Sequence, residues 1–292
     1  MQEDLRVVFE SRNRQSCSDR ALVLAASKIP HQMIDDGISA ALVVPAEFSA
    51  AAVEQLQLYD DENPPPRPRP VVRIDYQDAL PGIVGYVLVI SLVAWLAGYS
   101  MYGYDWFAAG RVDGELIRGG ELWRTITALT LHADARHLVG NLVFGVLFGL
   151  FAGRVMGSGV AWLAIVAAAA TGNVANTLLL ESSHRSIGAS TAVFAALGLV
   201  AGFVWRGKLM AQDRWSYRYG PVVGGLALLM FTGTGGPNTD IGAHLLGFVC
   251  GFLVGMLLIA LGPVPTDRRS QTVAGSLALI IVAASWIVAL SV

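Results

Sequence analysis

Asp240-Ile241-Gly242-Ala243-His244-Leu245-Leu246-Gly247-Phe248-Val249-Cys250-Gly251 opens a stretch that stays apolar as far as Leu261. About 20 such residues are needed to cross ~30 Å of hydrocarbon, so residues 240–261 read as one membrane span. Its head carries an aspartate and a histidine. Ionisable groups are costly within a bilayer and face the protein interior, and at 1.5 Å per residue His244 lies about 6 Å below Asp240. Gly247, Gly251 and Gly255 follow at four-residue spacing on roughly the same face as His244, the pattern that lets two helix backbones approach closely.

Working outward, six more apolar runs are found at 83–101, 137–153, 160–180, 187–205, 219–232 and 273–291. The composition agrees: of 292 residues 54% are hydrophobic and 14% charged, against about 25% charged in soluble domains. The chain is expected to be an all-α polytopic membrane protein. A net charge of −2 without a basic block excludes a nucleic-acid-binding footprint. Cys17 and Cys250 fall in a polar and an apolar region respectively, which argues against a disulfide framework.

Charge marks the domain boundary, because 21 of the 42 Asp, Glu, Lys and Arg residues lie within the first 80 positions. Strand-like and helix-like runs alternate over residues 1–62 as in a small α/β domain. Residues 63–82 include Pro64-Pro65-Pro66-Arg67-Pro68-Arg69-Pro70, a stiff linker. The membrane core is expected over 83–262 and a further C-terminal span over 263–292. The opening Met1-Gln2-Glu3-Asp4 lacks a signal-peptide pattern. With the N-terminus in the cytosol, inside segments hold ten Arg and Lys residues and outside segments five, so the positive-inside rule favours N-in and C-out, in a plasma (inner) membrane. The second, fourth and sixth runs then all enter from the outer face.

The remaining intramembrane polar residues lie near the outer ends of those runs. His137 and Asn141 are four apart and share a helical face. Ser190 follows Gly188-Ala189 in the first turn of the fourth run, and Phe194 lies below it on the same face. A serine hydroxyl needs a base to accept its proton, and His244 is an available imidazole. An oxyanion formed by attack on a carbonyl would find donors in the Ser190 amide, His137 and Asn141. No buried carboxylate is evident to orient the base, so a dyad is expected. Gly198 and Gly202 in the fourth run answer the glycines of the sixth. The fifth run is short and begins near Pro221, which makes runs five and two candidate walls of a substrate entry.

Taken together, His132-x4-His137-x3-Asn141, Gly188-Ala189-Ser190 with Phe194, Gly242-Ala243-His244 with Gly247 and Gly251, and Trp123-Arg124 in the first long connection resemble the signature segments of the rhomboid intramembrane serine proteases. The resemblance spans roughly residues 83–262 and implies a six-helix core, here followed by a seventh helix. It implies Ser190 as nucleophile, His244 as base, Phe194 packed on the imidazole, and His137 and Asn141 lining the oxyanion site beside Gly188. It further implies structural roles for His132, Trp123, Arg124, Gly247 and Gly251. The activity implied is endopeptidic cleavage in or near transmembrane segments of membrane proteins. No metal or organic cofactor is implied, and the partners are transmembrane substrates and membrane lipid. Two positions depart from the family pattern: Thr191 stands where glycine is common, and Arg154 ends a stretch that often holds an acidic residue.

Other protein classes fit parts of the same sequence. An inactive rhomboid-like protein that binds membrane clients would keep the helices without the chemistry. A solute transporter would use Asn173 and Asn176, although no proline breaks the third run as broken helices do in many transporters. A metal site from His132, His137, His184 and His244 lacks a completing Cys or carboxylate.

Overall fold

The computed structural model describes residues 4–64, 76–179, 184–207, 223, 224, 227 and 240–292. The chain divides into two compact units, Met1–Arg69 and Pro70–Val292. Most of the 219–232 run, one of the two candidate entry walls, lies outside the described residues, as does the linker from 65 to 75.

The first unit runs β1 (Leu5–Ser11), α1 (Arg14–Ala26), β2 (Gln32–Asp35), β3 (Ala40–Pro45) and α2 (Ser49–Glu62). Its antiparallel sheet has the order β1-β3-β2, with Val44 opposite Arg6 and Val43 opposite Gln32. Side chains alternate along a strand, so Ala40, Leu42 and Val44 of the central strand share one face. They form its core with Cys17 and Leu24 of α1 and Ala52 and Leu56 of α2. The Asn13 side chain caps α1 by accepting from the Gln15 amide at 3.0 Å, and Arg20 lies over the Phe9 ring and pairs with Asp60.

The second unit begins with α3 (Leu80–Gly98). A connection follows that holds α4 (Trp106–Gly110), β4 (Val112–Asp113), α5 (Gly114–Arg118) and α6 (Arg124–Thr127). Then come α7 (Ala135–Met156), α8 (Ser158–Leu179), β5 (Arg185–Ser186), α9 (Ser190–Gly207), α10 (Ile241–Leu261) and α11 (Arg268–Ser291). Helices α3, α7, α8, α10 and α11 are long and apolar enough to cross a membrane, while α9 is shorter. Large apolar side chains such as Leu88, Leu92, Leu253, Leu257, Ile280 and Ile287 are exposed, as suits a hydrocarbon solvent. The protein's own core is built instead from small residues, with Ala161, Ala164, Ala168, Ala192, Ala195 and Ala196 buried between helices.

Helix starts follow local chemistry rather than the edges of the apolar runs. Asp134, Asp240 and Asp267 accept hydrogen bonds from His137 N, Ala243 N and Ser270 N at 2.8, 2.9 and 2.9 Å. Such caps satisfy amides that a first turn leaves unpaired, so α11 begins five residues before the apolar run at 273. Helix α3 takes Pro81 into its first turn, where the missing N–H costs nothing. Only Gly157 separates α7 from α8, at φ +81. A Cβ there would strike the Gln271 amide, whose Nε2 donates to Met156 O at 3.0 Å and whose Oε1 accepts from Gly159 N at 2.8 Å.

Candidate active site

Helix α9 is the most enclosed of the membrane helices, with residues 191–196 all buried, and it packs on α7, α8 and α10. The sequence run at 187 becomes helical only at Ser190, because Gly188 takes φ +131, a region closed to side-chain-bearing residues. The approach to this turn is tied to the first connection. Arg185 and Ser186 pair with Asp113 and Val112, Arg185 Nε donates to Asp113 Oδ2 at 2.9 Å, and Gly188 N donates to Ala128 O at 2.9 Å. Burial opposes ionisation of Asp113, yet the Arg185 hydrogen bond and charge hold its carboxyl below the usual value.

Gly188 also brings two predicted residues together. A Cβ at this position would stand 2.7 Å from both Cε1 and Nε2 of His137 and 3.7 Å from Ser190 Oγ. The imidazole of His137 and the Ser190 hydroxyl therefore border the same small space, kept open by the absent side chain.

Helices α9 and α10 run parallel. The backbone carbonyls of Thr191, Ala195 and Leu199 face Gly247, Gly251 and Gly255 in turn, and Gly198 and Gly202 face the Phe248 and Phe252 carbonyls. A Cβ at any of these glycines would overlap the opposing backbone. This register puts His244 near the level of the Ser190 turn. Its ring is buried and packs on Phe194 with centroids 4.7 Å apart at 32°. Among the described residues no hydrogen bond joins the Ser190 hydroxyl to this ring, and His244 Nδ1 is buried without a partner. Thr191 is accommodated: its Cγ2 lies where the Gly247 side chain would be, and its φ is not positive.

The head of α10 is anchored by contacts that sequence reasoning missed. Besides capping the helix, Asp240 accepts from Asn176 Nδ2 at 2.9 and 3.1 Å and lies 2.7 Å from His184 Nε2. Burial raises the Asp240 pKa, but the Ala243 amide and His184 outweigh it and hold the carboxyl below its ordinary value. The cap was legible from Asp240 standing four residues before His244. Its partners come from the end of α8 and the loop after it, so no local spacing reveals them.

Asn141 is buried with Nδ2 unpartnered, while its carbonyl accepts from the Tyr86 hydroxyl of α3 at 2.8 Å. His132 packs edge-on against His137 at 5.1 Å, and burial, reinforced by His137, pushes its pKa down to about 4. Trp123 and Arg124 stand elsewhere. Arg124 is buried, pairs with Glu121 at 2.6 Å and donates to the carbonyls of Ala108 and Arg111 at 2.8 and 3.2 Å. Trp123 joins the cluster formed by Trp106 and Trp286. These two residues fasten the first connection and do not enter the pocket around Gly188.

Comparison with known proteins places these elements in a family. The model of the rhomboid domain matches residues 119–261, a stretch that contains Trp123, His137, Ser190 and His244. The chain is 32% identical to Rhomboid-like protease 1 of Toxoplasma gondii over 145 residues, 49% of each protein. It is 26% identical to Putative rhomboid protease YdcA of Bacillus subtilis over 182 residues, 61% of this chain and 88% of that one. Rhomboid protease GluP of the same bacterium is 37% identical over 91 residues, 31% of this chain and 18% of the relative. The match spans about half the length of the Toxoplasma relatives. With membrane-length helices around the matched segment, the chain is an integral multi-pass membrane protein that carries a rhomboid domain over residues 119–261.

Proposed function

We propose that this protein is an intramembrane serine endopeptidase that cleaves peptide bonds in or near transmembrane segments of membrane proteins, with Ser190 as nucleophile and His244 as general base. The observation that carries this reading is the Ser190 hydroxyl and the His137 ring meeting at Gly188, with unspent polar atoms on the neighbouring helices α7 and α10. His244 Nδ1 and Asn141 Nδ2 are buried and unpartnered, and the His137 ring borders the Ser190 hydroxyl. Buried polar atoms are nearly always paired in folded proteins, and leaving one unmade costs about 1–3 kcal/mol. Two such atoms, on the helices that flank the Ser190 turn, suit a reacting carbonyl better than a packing core.

In the reaction, Ser190 Oγ attacks the scissile carbonyl as its proton passes to His244. The resulting oxyanion takes hydrogen bonds from Asn141 Nδ2, His137 and the Ser190 amide at the α9 N-terminus. Collapse breaks the C–N bond, and His244 returns the proton to the leaving amine. Water, deprotonated by His244, then hydrolyses the ester and restores the Ser190 hydroxyl. Phe194 fixes the imidazole plane in place of an orienting carboxylate, because Asp240 is turned to Asn176 and His184. The seven-span count, the N-in orientation and the cytosolic placement of residues 1–62 belong to the same proposal.

A labelled fluorophosphonate tests it. The full chain in detergent or lipid should form an adduct on Ser190, and both Ser190→Ala and His244→Ala should abolish it. Absence of an adduct in the wild type, with the fold intact by circular dichroism, would identify a client-binding member without protease chemistry.

A further inference from the structure

A cavity of about 750 Å³ lies between α3, α8 and α11 and reaches Ala189 and Ala192 at one end. Pockets of this size enclose single small ligands. Its shaft is lined by Val89 and Ile90 of α3, Ile165 and Val166 of α8, and Leu279 and Val282 of α11. The opposite end is polar, where Asp78, Ser158, Arg268 and Gln271 gather. From Arg268 to Val282 the helix rise gives roughly 20 Å, enough to cover one leaflet of a hydrocarbon layer ~30 Å thick.

The polar end has a definite electrostatic character. Helices α3, α8 and α11 all begin there, their first turns capped by Asp78 on Leu80 N, by Gln271 Oε1 on Gly159 N and by Asp267 on Ser270 N. Arg268 is exposed and makes no ion pair among the described residues. The other polar groups are committed: Asp78 Oδ1 accepts from the Leu80 amide at 2.9 Å, Ser158 Oγ donates to Asp78 O at 2.5 Å, and the Gln271 amide bridges the α7–α8 turn. The Arg268 guanidinium, unpaired among the described residues, above an apolar shaft matches a phosphate with an acyl chain attached.

We propose that this cavity is a binding site for an anionic glycerophospholipid, its phosphate at Arg268 and one acyl chain running up the shaft. The chain tip ends against Ala189 and Ala192, which flank Ser190. Along the shaft it lies on Tyr86, whose hydroxyl holds the Asn141 carbonyl. The bound lipid therefore buttresses, from behind, the turn and the helix that shape the Gly188 pocket. Binding itself does not depend on the proposed protease chemistry.

The test uses the full chain in phosphatidylcholine nanodiscs doped with phosphatidylglycerol carrying a diazirine at its acyl terminus, followed by irradiation and peptide mass spectrometry. Crosslinks should concentrate on the upper shaft, around Ile90, Ile165 and Val282. Gly85 lines the cavity and a Cβ there meets nothing within 4 Å, so Gly85→Phe fills the shaft without a backbone clash. It should cut labelling about ten-fold or more, since each excluded methylene removes roughly four-fold in affinity. Arg268→Gln should cut labelling about five-fold, the worth of one basic side chain facing an anionic headgroup. Diacylglycerol with the same photoreactive chain should label as weakly as that variant. Undiminished labelling of folded Gly85→Phe would overturn the site. Equal labelling by diacylglycerol and phosphatidylglycerol, or no effect of Arg268→Gln, would overturn the phosphate recognition, and this arm stands even if Gly85→Phe fails to fold.

Discussion

Asp240 is one residue with three tasks: it caps α10, accepts from Asn176, and holds His184. Its carboxyl titrates below the ordinary value in the folded protein. A depressed carboxylate contributes stability that is fully present above its unfolded pKa near ~3.9 and is lost as pH falls through the lower folded value. Asp240→Asn should therefore lower stability by roughly 1.5–3 kcal/mol at neutral pH, the range for hydrogen bonds to a charged group. The gap between the two melting curves should narrow below about pH 4; a constant gap down to pH 3 would show that the charge is not what matters. At this scale the sequence was informative where chemistry is rare. Ser190, His244, His137 and Asn141 stand out because a bilayer penalises polar groups. Gly188 was noticed only as a motif member. Its need for positive φ arises from the Ala128 carbonyl and the His137 ring, both distant in the chain.

At the scale of elements, the parallel pair α9–α10 is held by backbone resting on backbone through Gly247, Gly251 and Gly255. Gly251→Leu would drive four carbons into the Ala195 carbonyl and force the helices apart, costing about 1–3 kcal/mol or more. It should lower the thermal midpoint and remove fluorophosphonate labelling together. Gly140→Ala is the contrast, for its Cβ meets nothing within 4 Å. Replacing an interior helical glycine should be neutral or add about 0.5–1 kcal/mol. If both variants behave alike, close packing is not what positions the helices. Glycine spacing made this face legible, since small residues at four-residue intervals mean little else in a membrane. Helix limits were less legible: apolar runs report hydropathy, whereas caps and Pro81 decide where hydrogen bonding begins. That is why α3 and α11 start three and five residues ahead of their runs.

For the whole molecule, the division at Arg69 and Pro70 gives each unit its own buried core. A chain starting at Pro70 should keep helical content and fluorophosphonate labelling in the same lipid. Loss of labelling with helicity retained would make the first unit a regulator of the site. Membrane class was legible because it follows from composition, and the candidate site residues stand out as polar groups within apolar runs. The cavity between α3, α8 and α11 was not, because a void is a property of three surfaces at once. The clasp that Gln271 makes on the turn at Gly157 has a consequence for biosynthesis. Residue 271 leaves the ribosome after every other described helix has been made, so until then the Met156 carbonyl and Gly159 amide wait without their partner. The turn between α7 and α8 is therefore completed only once α11 has been made and packed against it.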